Sequence, residues 1–353
     1  MRLPLLTNRS DTLWYKEGRV FLLDRRLYPK ETVYRDYGSY QEVAQAIIDM
    51  VVQGAPPLAY TAGYGLALAA REAQRRFENI EKQKEYVKEA YEVLLNTRPT
   101  GADLYQVLSR ALDTALKSLS QGEDAEKILV SQIDAEVQRG DYAARVSGYY
   151  AATLMGEEET ILTHCFPGAA LNYVLYYATK MGKEISVYAN ETRPYFQGLR
   201  LTAASVSELG LPVTVVTDGM AGYLFKEGKI TKYITAADSV LMNGSIVNKI
   251  GTYQYAIVAK YHEIPYIVLG YDGPDVEKEV DSDIKIEKRD PEEILSFKGE
   301  RLVGSEIKAY YPAFDLTPGS LVSAICTDRG IFSPLDIKRY LLTKDHDPVP
   351  LEL

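Results

Sequence analysis

The chain has 353 residues, a formal net charge of −9, 46% hydrophobic and 25% charged residues, which is the balance of an ordinary globular protein long enough for two domains with sizeable cores. The acidic balance argues against broad nucleic-acid binding, which needs a basic face, and no apolar run is long enough to span a membrane. Two cysteines, Cys165 and Cys326, cannot make a disulfide framework, and zinc-type pairings are absent, so a cytoplasmic location fits best.

Along the first third, short strands are expected in 13–35 around the turn Lys16-Glu17-Gly18. Ser39 reads as the N-cap of a helix with Val43, Ala46, Ile47 and Met50 at helical spacing. Gly54-Ala55-Pro56-Pro57 reads as a break, with helix resuming over Ala59–Arg71 and charged helix over 72–95. Asn96–Gly101 is a second break before an amphipathic helix, Ala102–Leu119. A long helical pattern runs from Ala125 to about Met155, and the domain boundary is placed there, giving 1–124 and 125–353.

From Ile161 the pattern changes. Apolar strand-like runs (161–164, 185–189, 212–216, 232–237, 265–269) alternate with helical stretches (168–181, 197–209, 248–262), the signature of βαβ units and a parallel sheet covered on both faces. The charged region 275–300 reads as a solvated excursion. A short helix is expected in Pro318–Cys326, with Cys326 on its apolar face. The fold class is α/β: a mostly helical N-terminal domain with small β elements, then a parallel-sheet C-terminal domain.

In open α/β sheets the ligand crevice lies outside the carboxyl ends of the strands. Two apolar runs stop there at residues able to do chemistry, Cys165 and Asp238. Cys165 is either a buried small hydrophobe or a reactive thiol. The helix start at Gly168 is expected to lower its pKa and offer backbone N–H groups to an oxyanion. Asp238 is either a loop cap or a general acid–base group with a raised pKa. Asn190-Glu191-Thr192-Arg193 and Asp218 are expected on the same rim. His164 and Cys165 are adjacent on a strand and point to opposite faces, so His164 reads as a core or supporting histidine. His262 and His346 read as lacking partners, and three scattered histidines argue against a metal site. Lys249 is expected near a helix N-terminus, where a cation makes sense if an anion is bound. Arg98 and Gln197 suit phosphate as well. No P-loop or GxGxxG fingerprint occurs, and no cofactor is expected.

The motifs together resemble the 5-methylthioribose-1-phosphate isomerase family. It is related to the regulatory subunits of initiation factor 2B and to ribose-1,5-bisphosphate isomerase. The matching segments are Gln53–Pro56, Thr97–Thr100, Thr163–Cys165, Asn190–Pro194 with Gln197-Gly198, Thr217–Ala221, Ala237-Asp238, Asn248–Thr252 and Pro312–Pro318. The resemblance implies a Rossmann-like C-terminal domain without nucleotide, a homodimer and isomerisation of a phosphorylated pentose. It puts catalysis on Cys165 and Asp238. Substrate binding falls on Gly54, Ala55, Arg98, Gln197, Asn248 and Lys249, with the helix at Gly54 closing the site. The chain departs from the family pattern at Gln53 (usually Arg), Phe166-Pro167-Gly168, Ser239 (usually Arg) and Ser245 (usually acidic), which bears on substrate preference. Alternatives are a related substrate, 5-deoxyribose 1-phosphate or ribose 1,5-bisphosphate, a non-catalytic regulatory protein like the initiation-factor subunits, or a sugar-phosphate-binding relic.

Overall fold

The computed structural model describes residues 1–98 and 102–350. It divides into two compact units: Asn8–Asp141, and Met1–Thr7 with the chain from Tyr142 onward.

The first unit opens on an antiparallel sheet of β1 (Leu13–Lys16), β2 (Arg19–Leu23) and β3 (Tyr34–Tyr37). The β1–β2 turn is the two residues Glu17 and Gly18, both at positive φ (51° and 75°), as a tight hairpin requires. Helix α1 (Tyr40–Ile48) starts at Ser39 as expected. Ser39 Oγ accepts the Glu42 N–H, and the Glu42 carboxylate accepts the Ser39 N–H, both at 3.2 Å; this reciprocal cap satisfies two donors that the first turn would leave unpaired. Helix α2 (Ala55–Arg76) starts earlier than expected. Gly54 is its N-cap, and Pro56 and Pro57 lie in the first turn, where a missing N–H costs no helical bond. The break read at 54–57 is therefore the beginning of a helix. Helices α3 (Ile80–Leu95), α4 (Ala102–Ser120) and the first part of α5 (Ala125–Thr153) complete the unit. Its core draws on Val43, Ile47, Leu66, Ala70, Leu94, Leu108 and Ile133. The second expected break is described as far as Arg98; Pro99, Thr100 and Gly101 lie outside the described residues.

The second unit alternates β4 (Glu158–Thr163), α6 (Ala169–Lys180), β5 (Glu184–Asn190), α7 (Ala203–Glu208), β6 (Val213–Val216), α8 (Ala221–Lys226) and β7 (Lys232–Ala236). A small hairpin of β8 (Ser239–Val240) and β9 (Ile246–Lys249) follows, then α9 (Thr252–Tyr261) and β10 (Tyr266–Leu269). After α10 (Glu292–Leu295) and the β11 (Ser296–Phe297)–β12 (Glu300–Arg301) hairpin come β13 (Phe314–Thr317), β14 (Ala324–Thr327) and β15 (Gly330–Phe332). The main sheet has the order β15-β14-β10-β7-β4-β5-β6, all parallel except β15. Alternate residues feed its two faces. Ile161, Ile234 and Ile267 pack with α6 and α7, whereas Leu162, Tyr233 and Val268 pack with α8 and α9. A strand period of two, covered on both sides, explains why these runs are almost wholly apolar.

Three expectations change in this unit. Cys326 is in the core, but on strand β14 rather than a helix, with only a 3-10 turn at Gly319–Leu321; a short apolar run does not reveal its own period. Lys249 ends strand β9, and helix begins only at Thr252 because Gly251 (φ 108°) turns the chain between them. The stretch 197–209 opens as a π-turn, Gly198–Thr202, before α7.

Candidate active site

Taken in chain order, the six parallel strands β4, β5, β6, β7, β10 and β14 lie in the spatial order 3-2-1-4-5-6. The order reverses between β4 and β7, the switch point outside which a ligand crevice opens in such sheets. Cys165 lies two residues beyond the end of β4, and Asp238 two beyond β7.

Cys165 adopts the left-handed conformation (φ 61°), which costs a non-glycine residue roughly 1–2 kcal/mol. Its neighbours enforce it. The Cys165 N–H donates to Thr192 Oγ1 at 3.0 Å, and Thr202 Oγ1 donates to the Cys165 carbonyl at 2.6 Å. Thr192 is itself left-handed (φ 63°) and is fixed by Asp218, whose carboxylate accepts the Thr192 and Arg193 N–H groups at 2.8 Å each. Asp218 and the Asn190–Arg193 segment thus shape the loop that holds the thiol. Cys165 is half-buried, and burial pushes its pKa up to about 11, against the pull of Lys249. The lowering expected from the Gly168 helix start is outweighed by this desolvation. One N–H of that helix, at Ala170, is already given to the Tyr271 hydroxyl at 3.3 Å.

Asp238 reaches solvent, yet protein crowds it, and that desolvation pushes its carboxyl up to about 6 despite Lys249 and Arg289. Only its backbone is tied, the N–H donating to Val247 O at 2.8 Å. Lys249 is 4% exposed, and its ammonium has no hydrogen bond or ion pair among the described residues. Desolvation lowers its pKa, while Cys165 and Asp238 act on it in the opposite sense. It sits 4.8 Å from the ring centroid of Phe314. The anion expected at the α9 N-terminus is supplied by the protein: Asp315 accepts the Gly251 and Tyr253 N–H groups at 2.7 and 3.1 Å. Asn248 is buried and donates to Thr252 Oγ1 at 3.0 Å. Gln197 Oε1 is buried without a partner.

His164 supports rather than reacts. Nε2 donates to Ile250 O at 2.9 Å, Nδ1 faces the Asn190 amide at 3.5 Å, and burial holds the ring neutral, with a pKa of about 4. His346 does have a partner, the Tyr150 hydroxyl at 2.9 Å, and His262 stacks on Phe225. Among the described residues, no group of three His, Cys, Asp or Glu is placed to hold a metal ion. No described helix is long and apolar enough to cross a membrane.

Gly54, Ala55 and Arg98 lie in the other unit. Gly54 takes φ 95° as the cap of α2, and Ala55 is the first residue of that helix. Arg98 rests Nη2 on Met50 Sδ, and its Nε is buried without a partner. Gln53 is buried and donates to Met50 O at 3.3 Å. Two site residues escaped the sequence reading, Glu287 and Arg289, because they sit in the charged excursion. Arg289 Nε donates to Glu287 Oε1 at 2.9 Å, and its charge reaches both Cys165 and Asp238.

The profile of the Initiation factor 2 subunit family matches residues 51–334. The chain belongs to this family. A methylthioribose-1-phosphate isomerase of Desulforudis audaxviator is 36% identical over 332 residues, covering 92% of this chain and 94% of that protein. A putative methylthioribose-1-phosphate isomerase of Methanocaldococcus jannaschii is 39% identical over 323 residues, 89% of this chain and 92% of its own. Among solved structures, 5-methylthioribose 1-phosphate isomerase from Pyrococcus horikoshii superposes with a TM-score of 0.78 at 33% identity, covering 94% of each chain. Translation initiation factor eIF-2B subunit delta from A. fulgidus gives 0.79 at 32% identity, covering 97% of this chain and 100% of its own. The family resemblance read from the motifs is borne out, as is the α/β fold with a helical N-terminal region.

Proposed function

We propose that the protein is an aldose–ketose isomerase that converts 5-methylthioribose 1-phosphate to 5-methylthioribulose 1-phosphate, with Cys165 and Asp238 as its proton-transfer pair. One observation carries the reading: a thiol and a carboxyl, delivered by the two strands flanking the switch point, both interact with the same buried, unpaired ammonium of Lys249. The names of relatives 36–39% identical over most of the chain support it.

A sugar phosphorylated at C1 does not open its ring as a free hemiacetal does. As the bond from C1 to the ring oxygen breaks, that oxygen must receive a proton. The C2 hydroxyl must lose one as C2 becomes a ketone, and hydrogen must move from C2 to C1. Two groups whose environments push their pKa values apart suit these two proton steps. The thiol, raised to about 11, is protonated at neutral pH and is the donor to the ring oxygen. The carboxyl, at about 6, is mostly ionised there and is the base for the hydroxyl. Hydrogen then moves as hydride, or as a proton through an enediolate. Lys249, Gln197 and Asn248 hold the phosphate and sugar on the same unit, and Gly54, Ala55 and Arg98 are further substrate-binding groups. The enzyme works as a homodimer in the cytoplasm. The exposed Tyr253, Ile257 and Tyr261 stripe on α9 and Met220 and Tyr223 at α8 supply apolar surface for self-association.

The test is a panel of sugar 1-phosphates with ketose formation followed by NMR. Turnover of 5-methylthioribose 1-phosphate, lost in both Cys165→Ser and Asp238→Asn, is the expected result. Preference for 5-deoxyribose 1-phosphate or ribose 1,5-bisphosphate would move the substrate and keep the chemistry. Absence of any product points to the regulatory reading, which the likeness to the eIF-2B delta subunit favours. In deuterated water, deuterium at C1 marks the enediolate, and retained protium marks hydride transfer.

A further inference from the structure

We infer that Arg289 is a specificity-determining residue that binds the substrate's phosphate together with Lys249, both beside the ring of Phe314. The inference rests on the sugar-phosphate reading above and adds a cation that the motifs did not reveal.

Strands β13 and β9 are antiparallel, and Phe314 is the register partner of Lys249. The Lys249 ammonium lies 4.8 Å from the Phe314 centroid and the Arg289 guanidinium 5.8 Å from the same point. Arg289 also lies 5.4 Å from the Tyr195 centroid. Two aromatic faces therefore hold the guanidinium, and one of them also receives the lysine. The backbone fixes the approach. The Arg289 N–H donates to Tyr311 O at 2.9 Å, and the Ala313 N–H donates to Glu287 O at 2.8 Å. The segment 287–289 is thus zipped onto the strand that carries Phe314.

Charge then points to the ligand. Glu287 accepts from Nε at 2.9 Å, and the Tyr311 hydroxyl lies against the same guanidinium, which opposes the rise that burial gives the tyrosine's pKa. Lys249 is buried with no counter-ion of its own. Two cations flanking one ring repel each other, and a buried ammonium without a partner is costly. A dianionic phosphate monoester removes both penalties. A guanidinium donates paired hydrogen bonds to phosphate oxygens, which an ammonium cannot do.

The test uses the full chain and inorganic phosphate as the probe, with its dissociation constant read from the phosphate dependence of Tm. Arg289→Gln is expected to weaken phosphate at least tenfold and to raise KM for the sugar 1-phosphate by a similar factor, with kcat within about threefold. Arg289→Lys should recover part of both losses. Glu287→Gln, which keeps the cation and removes the carboxylate that competes for it, should tighten phosphate about threefold, and no tightening would count against the inference should Arg289→Gln not fold. The inference is overturned if folded Arg289→Gln binds phosphate within twofold of the parent, or if the parent does not bind phosphate at millimolar concentration. Because phosphate binding is read without turnover, Arg289-dependent binding in a protein that isomerises nothing would sink the isomerase reading and leave this one standing.

Discussion

Asp24 and Arg9 in the helical unit and the charges at the carboxyl end of the parallel sheet are treated in opposite ways. The first two are paired. Asp24, fully enclosed, takes Arg26 at 2.8 Å and Arg35 at 2.6 Å; Arg9 takes Asp141 at 2.7 Å. At the carboxyl end of the parallel sheet, charge is left open: Lys249 without a counter-ion, Asp238 tied by its backbone alone, and Gln197 with an unsatisfied carbonyl. Satisfied polar groups hold a fold together, whereas unsatisfied ones in a concave site wait for a ligand. The contrast teaches which substitutions should harm stability and which should harm chemistry.

The largest expected effect lies on the open side. Cys165→Ser and Asp238→Asn should each lower kcat by about a thousandfold or more, the scale of a lost acid or base, with Tm nearly unchanged. Before that loss, the parent's kcat should rise with pH through about 6, because Asp238 works as a base and burial has raised its carboxyl to that value. The measurement is kcat at saturating substrate, since the substrate's own phosphate also titrates near pH 6. A fall through the same pH would exchange the roles of acid and base.

Next comes a variant that separates function from stability. Lys249→Met removes a buried, unpaired ammonium and keeps the bulk, so KM should rise by about 10- to 100-fold while stability holds or improves. Steady-state kinetics and a denaturant melt check both halves. A melt that loses several kcal/mol would mean that the ammonium has a structural partner.

On the paired side, Asp24→Asn should destabilise the protein by about 1–2 kcal/mol and leave kcat alone, because its two arginines are 40% and 47% exposed and solvent screens them. Hydrogen bonds from Arg26, with Arg35, lower the Asp24 pKa from 3.8 to about 2. The folded form therefore binds the proton less readily than the unfolded form. This stabilisation is complete above about pH 4 and disappears as pH falls through about 2. Acid titration of the variant against the parent reads the difference. The smallest effect is Ser39→Ala, about 1 kcal/mol from the lost cap, measured as a shift in the urea midpoint.

Much of this arrangement was legible in the residues. The βαβ alternation was plain because strands covered on both faces lose their polar positions, and Cys165 and Asp238 were marked by where the apolar runs stop. What escaped was long-range. Leu321–Cys326 is too short to declare its period, so β14 read as helix. The partner of the α9 N-terminus, Asp315, lies more than sixty residues downstream, and Lys249 was read as serving an anion there when the carboxylate was already in place. Arg289 was lost among charges: in a run such as Glu287-Lys288-Arg289-Asp290, nothing local separates the side chain held by two aromatic rings from those in water. The direction of the Cys165 pKa is not legible from the helix that follows it, because desolvation depends on everything packed around the sulfur.

With the thiol raised to about 11, roughly one molecule in ten thousand carries the thiolate at pH 7. Peroxide and alkylating reagents attack the thiolate, so Cys165 should outlast an ordinary surface cysteine under oxidative stress and become vulnerable only in alkaline solution.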